Sequence, residues 1–194
     1  GLAVTDLRDY GSDAFVLTAP VPQSLAILSF SGLLPAPELA REFAGIHYKP
    51  TIAILASLDR DPEGLPAHGG RQFGPDGGLA FVTDNRAKGI SAEPAVTVHL
   101  SNAKSNEMWD ASDEAVVAFA REEAAALLGS ASIVASQVQR WRYAGPVEVH
   151  PEPTVVWGHD PVVAMAGEAF AGPKVEGAFR SGLAAAAAID QRLG

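Results

Sequence analysis

The stretch that decides the fold lies near the end of the chain: Met165-Ala-Gly-Glu-Ala-Phe-Ala-Gly-Pro-Lys-Val-Glu-Gly-Ala-Phe-Arg-Ser-Gly182, running on into Leu183 and the alanines 184–188 before Ile189. An apolar run from Val162 to Ala166 ends at Gly167-Glu168, a Gly-Pro loop follows, and a helix of small residues begins. The first turn of a helix carries free backbone N–H groups and a partial positive charge. It can therefore hold an anion or an electron-rich carbonyl. Small residues at Gly177, Ala178, Ser181 and Gly182 would let a flat ligand or a second backbone approach closely.

This ordered segment resembles the C-terminal signature of the flavin-containing amine oxidase superfamily, in particular its renalase-like oxidoreductases. The resemblance implies that Gly167 and Glu168 lie beside the ribityl and pyrophosphate part of FAD. It implies that Val175, Glu176, Gly177 and Ala178 form a turn presenting N–H groups to the isoalloxazine. The helix that follows, with Ser181 and Gly182, then points at the ring. Read without the resemblance, the same residues make a strand, a glycine-rich connection and a helix. A second phrase, Gln139-Arg-Trp-Arg-Tyr-Ala-Gly-Pro146, is similar to a run that leads from the substrate domain back toward the flavin in that family. It implies that Trp141 or Tyr143 walls the pocket over the isoalloxazine and that Arg142 faces an anionic or polar substrate. From spacing alone the phrase is two surface arginines flanking core aromatics on an ordinary strand.

A flavoprotein of this type is expected to open with a strand, Gly-x-Gly-x-x-Gly and a helix, which together cradle the pyrophosphate. No Gly-x-Gly-x-x-Gly occurs in these 194 residues, which start at Gly1. The expectation is that the chain is a C-terminal piece and that its dinucleotide-binding half lies in polypeptide outside it.

Composition narrows the partners. Hydrophobic residues make up 47% and charged residues 19% of the chain, so a packed core is expected. A net charge of −9 argues against binding nucleic acid through phosphate neutralisation. With no cysteine, disulfides and thiolate metal sites are excluded, and a reducing, cytoplasmic setting is expected. No apolar run approaches the roughly 18–20 residues that span a bilayer, so no membrane partner is expected. None of the five histidines, 47, 68, 99, 150 and 159, stands at the i, i+4 spacing of a helical metal pair, and no metal is expected. Neither a nucleophile elbow nor a P-loop is present.

Along the chain, Asp13–Ala19 reads as a buried strand closed by Pro20 and Pro22. A helix is expected over Gln23–Phe30 with a stop at Gly32, and another starting near Pro37. Thr51–Leu58, Leu79–Thr83 and Ala95–Leu100 read as strands. The segment Asp59–Gly78, with three prolines, six glycines and no apolar period, reads as a long loop. Ser112 is a helix N-cap, with acids Asp113 and Glu114 in the first turn, a helix to about Leu128 and a stop at Gly129. Ser132–Tyr143 is a long strand whose alternation sets Val138, Arg140 and Arg142 opposite Gln139, Trp141 and Tyr143. Asp84, Asn85, Arg86 and Lys88 cluster after a strand; the resemblance makes Asn85 a substrate-binding candidate, and the bland reading is a solvated turn. Glu168 is either a hydrogen-bond acceptor for ribose or ribityl hydroxyls or a carboxylate that complements a helix dipole.

These readings combine into an α/β (α+β) fold: a mixed, mainly antiparallel substrate domain with helices, and a C-terminal strand–helix remnant of an FAD-binding Rossmann-like domain. The resemblance puts 1–20 and 144–194 in the FAD-binding domain and 21–143 in the substrate domain. It implies hydride transfer from a small reduced substrate, a dihydronicotinamide isomer related to NAD(P) or an amine, to FAD. The alternative is a non-catalytic domain that folds alone and binds a ligand or a protein.

Overall fold

In chain order the computed structural model runs β1 (Leu2–Val4), β2 (Asp9–Gly11), β3 (Ala14–Leu17), α1 (Val21–Ser31), α2 (Pro37–Ala44), β4 (Tyr48–Leu58), β5 (Gly70–Gln72), β6 (Leu79–Asp84), β7 (Ala95–Leu100), α3 (Asn102–Glu107), α4 (Asp113–Glu123), α5 (Ala125–Leu128), β8 (Ile133–Pro146), β9 (Val155–Trp157), β10 (Val162–Met165), α6 (Glu168–Ala171) and α7 (Val175–Leu193). It describes residues 2–4 and 9–194. The class is α+β, and the sheets are mainly antiparallel. The chain divides into two compact units, Gly1–Tyr48 with Gly145–Gly194, and Lys49–Ala144. Residues 21–48 therefore cluster with the two terminal segments, because Leu28, Phe43 and Ile46 pack in one core with Val163 and Met165.

The first unit is built around β10. This strand pairs in parallel with β3 and antiparallel with β9. All four of its residues are buried, as a strand covered on both faces requires, and that is why its sequence is a continuous apolar run. Alternation sends Val163 and Met165 into a cluster with Val21, Leu28, Phe43 and Phe170. Ala164 and Ala166 point the other way and pack on Ala185 of α7, where small side chains let helix and strand approach. Helix α1 starts earlier than expected, at Val21, since proline is tolerated in a first turn whose N–H groups have no partner anyway. It stops at Gly32 (φ 68°), whose N–H reaches Leu28 and Ser29 carbonyls, while Leu33 N–H bonds Leu28 O.

The second unit is a five-stranded sheet in the order β5-β6-β7-β4-β8. Ile52, Ile54, Ala56 and Leu58 alternate onto one face, with Val96, Val98 and Leu100 beside them, and Val116, Ala120, Leu127 and Leu128 cover that face. Three elements differ from expectation. The loop 59–78 contains β5, which pairs with β6 from Gly70↔Thr83 to Gln72↔Phe81. The helix capped by Ser112, whose hydroxyl accepts from Ala115 N–H, breaks at Ala124 (φ −90°, ψ 2°) into α4 and α5. A short α3 follows Ser101, whose hydroxyl accepts from Lys104 N–H. Its buried Ser105 hydroxyl accepts from Ile52 N–H at 3.0 Å, satisfying a strand donor inside the core.

Candidate functional site

Parallel strands β3 and β10 leave their pairing at the same end, and the segments that follow them enclose a cleft of about 270 Å³. Ligands in open α/β sheets gather outside the carboxyl ends of the strands. One wall is Thr18–Val21 after β3; another is Ala166–Phe170 after β10; Ala178 and Gly182 of α7 and the ring of Tyr48 complete the lining. All of these residues belong to the first unit. The volume lies just under the roughly 300–1,000 Å³ of pockets that enclose a drug-sized ligand, which is the size for part of a larger one.

Gly167 makes the turn out of β10. Its φ of 139° is one L side chains avoid, so the position demands glycine. The turn is tied to α7 by Gly167 N–H donating to the Ser181 hydroxyl at 2.8 Å. Ser181 is fully buried. Ser181→Ala would remove the acceptor of that part-buried N–H, and the cost of an unmade buried hydrogen bond is about 1–3 kcal/mol. The expected result is a lower denaturation midpoint with an unchanged m-value; an unchanged midpoint would mean that water replaces the hydroxyl.

Two glycines of α7 do different jobs. Gly177 faces the end of α6, where a Cβ would lie inside the contact shell of the Gly172 carbonyl, 2.6 Å from its carbon. Gly182 lines the cleft, and a Cβ built there meets nothing within 4 Å. The absence of a side chain at 182 is thus what keeps the floor open.

Two acids border the cleft. Burial pushes the Glu168 carboxyl above the usual carboxylate range. Burial also raises the Tyr48 phenol, opposed by the hydrogen bond in which its oxygen accepts from Val21 N–H at 3.1 Å, and reinforced by the Glu168 charge. In both groups burial disfavours the negatively charged form.

Of the residues singled out in the sequence, the cleft is lined by Gly167, Glu168, Ala178 and Gly182, with Ser181 bracing it from beneath. Val175 and Glu176 are not in its lining. The Val175–Ala178 stretch, expected as a turn, is the first turn of α7. Val175 is 86% exposed, and Glu176 bonds Arg180 one turn on. Trp141, Arg142, Tyr143 and Asn85 all lie in the second unit. Arg142 stacks 4.5 Å over the Trp109 ring, and Arg140 on the same strand face donates to the Trp109 and Ala111 carbonyls and to Asp113. Trp141 is 55% exposed. Asn85 organises its turn: its Oδ1 accepts from Thr83, its Nδ2 donates to Thr97, and its carbonyl accepts from Ile90 and Ser91. Sequence reasoning did not pick out Tyr48 or the Thr18–Val21 wall. The Thr18-Ala-Pro20 phrase after an apolar strand was the available signal for the wall; nothing local marks Tyr48. Among the described residues no group of three or more His, Asp or Glu is placed to hold a metal ion. No helix among them is long and apolar enough to cross a membrane.

Comparison with known proteins bears on the class. Among curated proteins none matches the chain. An oxidoreductase from Methanosarcina mazei aligns over 92% of this chain and 44% of its own, with a TM-score of 0.61 at 13% identity. A structure from Pseudomonas aeruginosa described as an FAD dependent oxidoreductase aligns over 96% of this chain and 48% of its own, with a TM-score of 0.53 at 16% identity. A protein of Pyrococcus furiosus aligns over 93% and 40%, with a TM-score of 0.54 at 14% identity. At these identities the likeness is one of fold, and the chain spans less than half the length of each of these structures. The family model described as flavin containing amine oxidoreductase matches residues 1–190. The chain therefore belongs to the flavin-containing amine oxidoreductase family, whose cofactor is a flavin, FAD in the Pseudomonas aeruginosa relative of the same fold.

Proposed function

We propose that this chain is the C-terminal, substrate-binding part of a renalase-like FAD-dependent oxidoreductase that removes a hydride from a small reduced substrate, a dihydronicotinamide isomer or an amine. The observation that carries the reading is the glycine-and-alanine floor of the cleft, open above Gly182 and set at the carboxyl ends of β3 and β10. The fit is that of a flat group's edge: Gly182 leaves room that any side chain would fill, and Tyr48 and Glu168 offer hydrogen-bonding groups at the rim. A bound flavin supplies the chemistry, acceptance of a hydride at its ring. The protein's own work is to place that ring and keep water from it. Gly167, Glu168, Ala178 and Gly182 would hold the cofactor, with Ser181 fixing the Gly167 turn. Gly177 keeps α7 close enough to do so. In the second unit Trp141, Arg142, Tyr143 and the Asn85 turn are the proposed substrate-recognising group. The pyrophosphate cradle would come from a dinucleotide-binding half outside these residues, a reading supported by the 40–48% share of the matched structures that the chain spans. A reducing cytoplasm, as the lack of cysteine suggests, is the proposed setting.

The test is amide NMR of the purified chain titrated with FAD to millimolar concentration, in wild type and in Gly182→Leu. Leucine at a mid-helix glycine gains about 0.8–1 kcal/mol of helix propensity, so the variant should melt no lower than wild type. Wild-type signals of Gly167, Glu168 and Ala178 are expected to move saturably, and Gly182→Leu to bind roughly tenfold more weakly or worse, a loss of about 1.4 kcal/mol. If those signals stay still in wild type, or move equally in the variant, the cleft is not a flavin site.

A further inference from the structure

Strands β3 and β10 run side by side in parallel, yet they differ in cover. All four residues of β10 are buried, and none of the four of β3 is. Parallel strands are ordinarily covered on both faces. Register locates the gap. Val16 stands opposite Ala164, so the two side chains share a face of the sheet. Ala164 is fully buried against Ala185 of α7, whereas Val16 is 47% exposed. On the other face Leu17 packs on the core that holds Val163 and Met165. The sheet order is β3-β10-β9, so among the described residues β3 is also an edge. Helix α7 has a matching flank. Gly177, Ser181 and Ala185 form its buried line. At 3.6 residues per turn, Ala178 and Gly182, which line the cleft, come next around the helix, and Val175, Phe179 and Leu183 follow. Those three are 86%, 64% and 58% exposed. The flank on the far side of the buried line is polar and carries the Glu176–Arg180 ion pair. A helix with apolar residues on its outer side as well as its inner one belongs in a larger buried layer.

We infer that the edge of β3 with Val16, together with the Val175–Phe179–Leu183 flank of α7, is the docking surface for one strand–helix segment of the dinucleotide-binding half proposed above. The inference rests on that reading for the source of the occupant; the shape of the gap gives its chemistry. An edge strand presents a row of backbone N–H and C=O groups to a further strand. A strand laid there becomes interior to the sheet, so it is an apolar run. Its helix lies over Val16 beside α7 and turns an apolar flank to Phe179 and Leu183. A parallel strand that feeds a helix packs that helix back onto the same sheet. Paired parallel to β3, the new strand ends where the cleft opens, and its turn into the helix falls at the mouth of the cleft. The matched structures have room for such a segment, since this chain spans 40–48% of their length. A second copy of the chain fits the surface less well, because each copy carries a net charge of −9 and the two repel.

Hydrogen exchange read by mass spectrometry compares this chain alone with the complete polypeptide that joins it to the dinucleotide-binding half, each with and without FAD. Segments 14–17 and 175–187 are expected to exchange at least about tenfold more slowly in the complete polypeptide, whether or not FAD is present, with α4 of the other unit as an unchanged reference. Phe179→Glu combined with Leu183→Glu alters exposed side chains only, so the chain alone should melt with wild type. In the complete polypeptide the double variant should return both segments to the rate of the chain alone, and Arg180→Ala on the polar flank should leave them slow. Equal exchange in the two proteins, or protection that survives the double variant, would overturn the assignment. So would a chain that doubles in mass on concentration and slows at these segments by itself, because the occupant is then a second copy. FAD binding by a complete polypeptide with unprotected segments removes this interface and leaves the flavin reading standing; protection without FAD binding does the reverse.

Discussion

Gly177→Ala is expected to destabilise the first unit by about 3 kcal/mol or more, although alanine is the better helix former. Propensity alone predicts a gain of about 1 kcal/mol for replacing a helical glycine. The neighbours reverse the sign. The added methyl would meet the Gly172 carbonyl group, with its carbon at 2.6 Å, and the Ala171 oxygen at 3.1 Å. These are backbone atoms at the end of α6, so no side chain can rotate away. Overpacking costs about 1–3 kcal/mol, and more when backbone must move. Gly172 itself sits at φ 110°, and α6 is tied to α7 at its other end by the Gly167–Ser181 bond. Relief of the clash therefore has to separate α6 from α7, which opens the cleft floor as well as costing stability. Gly182→Ala is the internal control, five residues further along the same helix and with nothing within 4 Å of its Cβ. It should be neutral or up to about 1 kcal/mol stabilising. Urea unfolding of both variants reads the contrast; a Gly177→Ala protein as stable as wild type would show that the α6–α7 contact is looser than described.

That pair also shows where sequence reading stops. Gly177 and Gly182 are the same letter in the same helix, and only the fold distinguishes a close backbone approach from a gap over a cleft. The elements that were legible carried an unambiguous local pattern. The apolar run at β10, the Ser112 cap with its acidic first turn, and the alternation placing Arg140 and Arg142 together all reappear. Those that were missed lack such a pattern. Strand β5 is Gly-Arg-Gln, a run with no apolar pattern that pairs with β6. The break at Ala124 lies in a run of alanines without glycine or proline. The Tyr48 wall stands 27 residues from its hydrogen-bond partner Val21, a separation that no local pattern encodes. Val175 and Glu176 belonged to an informative stretch of sequence, but they occupy the outer side of a first helical turn.

Phe43→Ala is expected to be as damaging, by a different route. Phe43 is fully buried on α2, with ring centroids 6.0 Å from Trp157, 6.0 Å from Phe170 and 5.9 Å from His150. Truncating a buried phenylalanine costs about 3–5 kcal/mol, and the value depends on how far the surroundings collapse into the hole. Here the neighbours are pinned. Trp157 donates its indole N–H to the Leu33 carbonyl at 3.1 Å, and His150 is held by Glu152 N–H and by the Ala169 carbonyl. The cavity should stay open, which puts the loss at the upper end of that range. Phe43→Leu refills most of the volume and should cost far less, whereas Phe30→Ala on the neighbouring α1, at a side chain 97% exposed, should stay within about 0.5 kcal/mol. The consequence reaches the cleft because Phe170 lines it on one side and touches Phe43 on the other. Denaturation of the three variants beside FAD titration should show stability and ligand response falling together in Phe43→Ala and neither changing in Phe30→Ala. A Phe43→Ala protein that loses stability but keeps its wild-type response to FAD would uncouple α2 from the cleft wall.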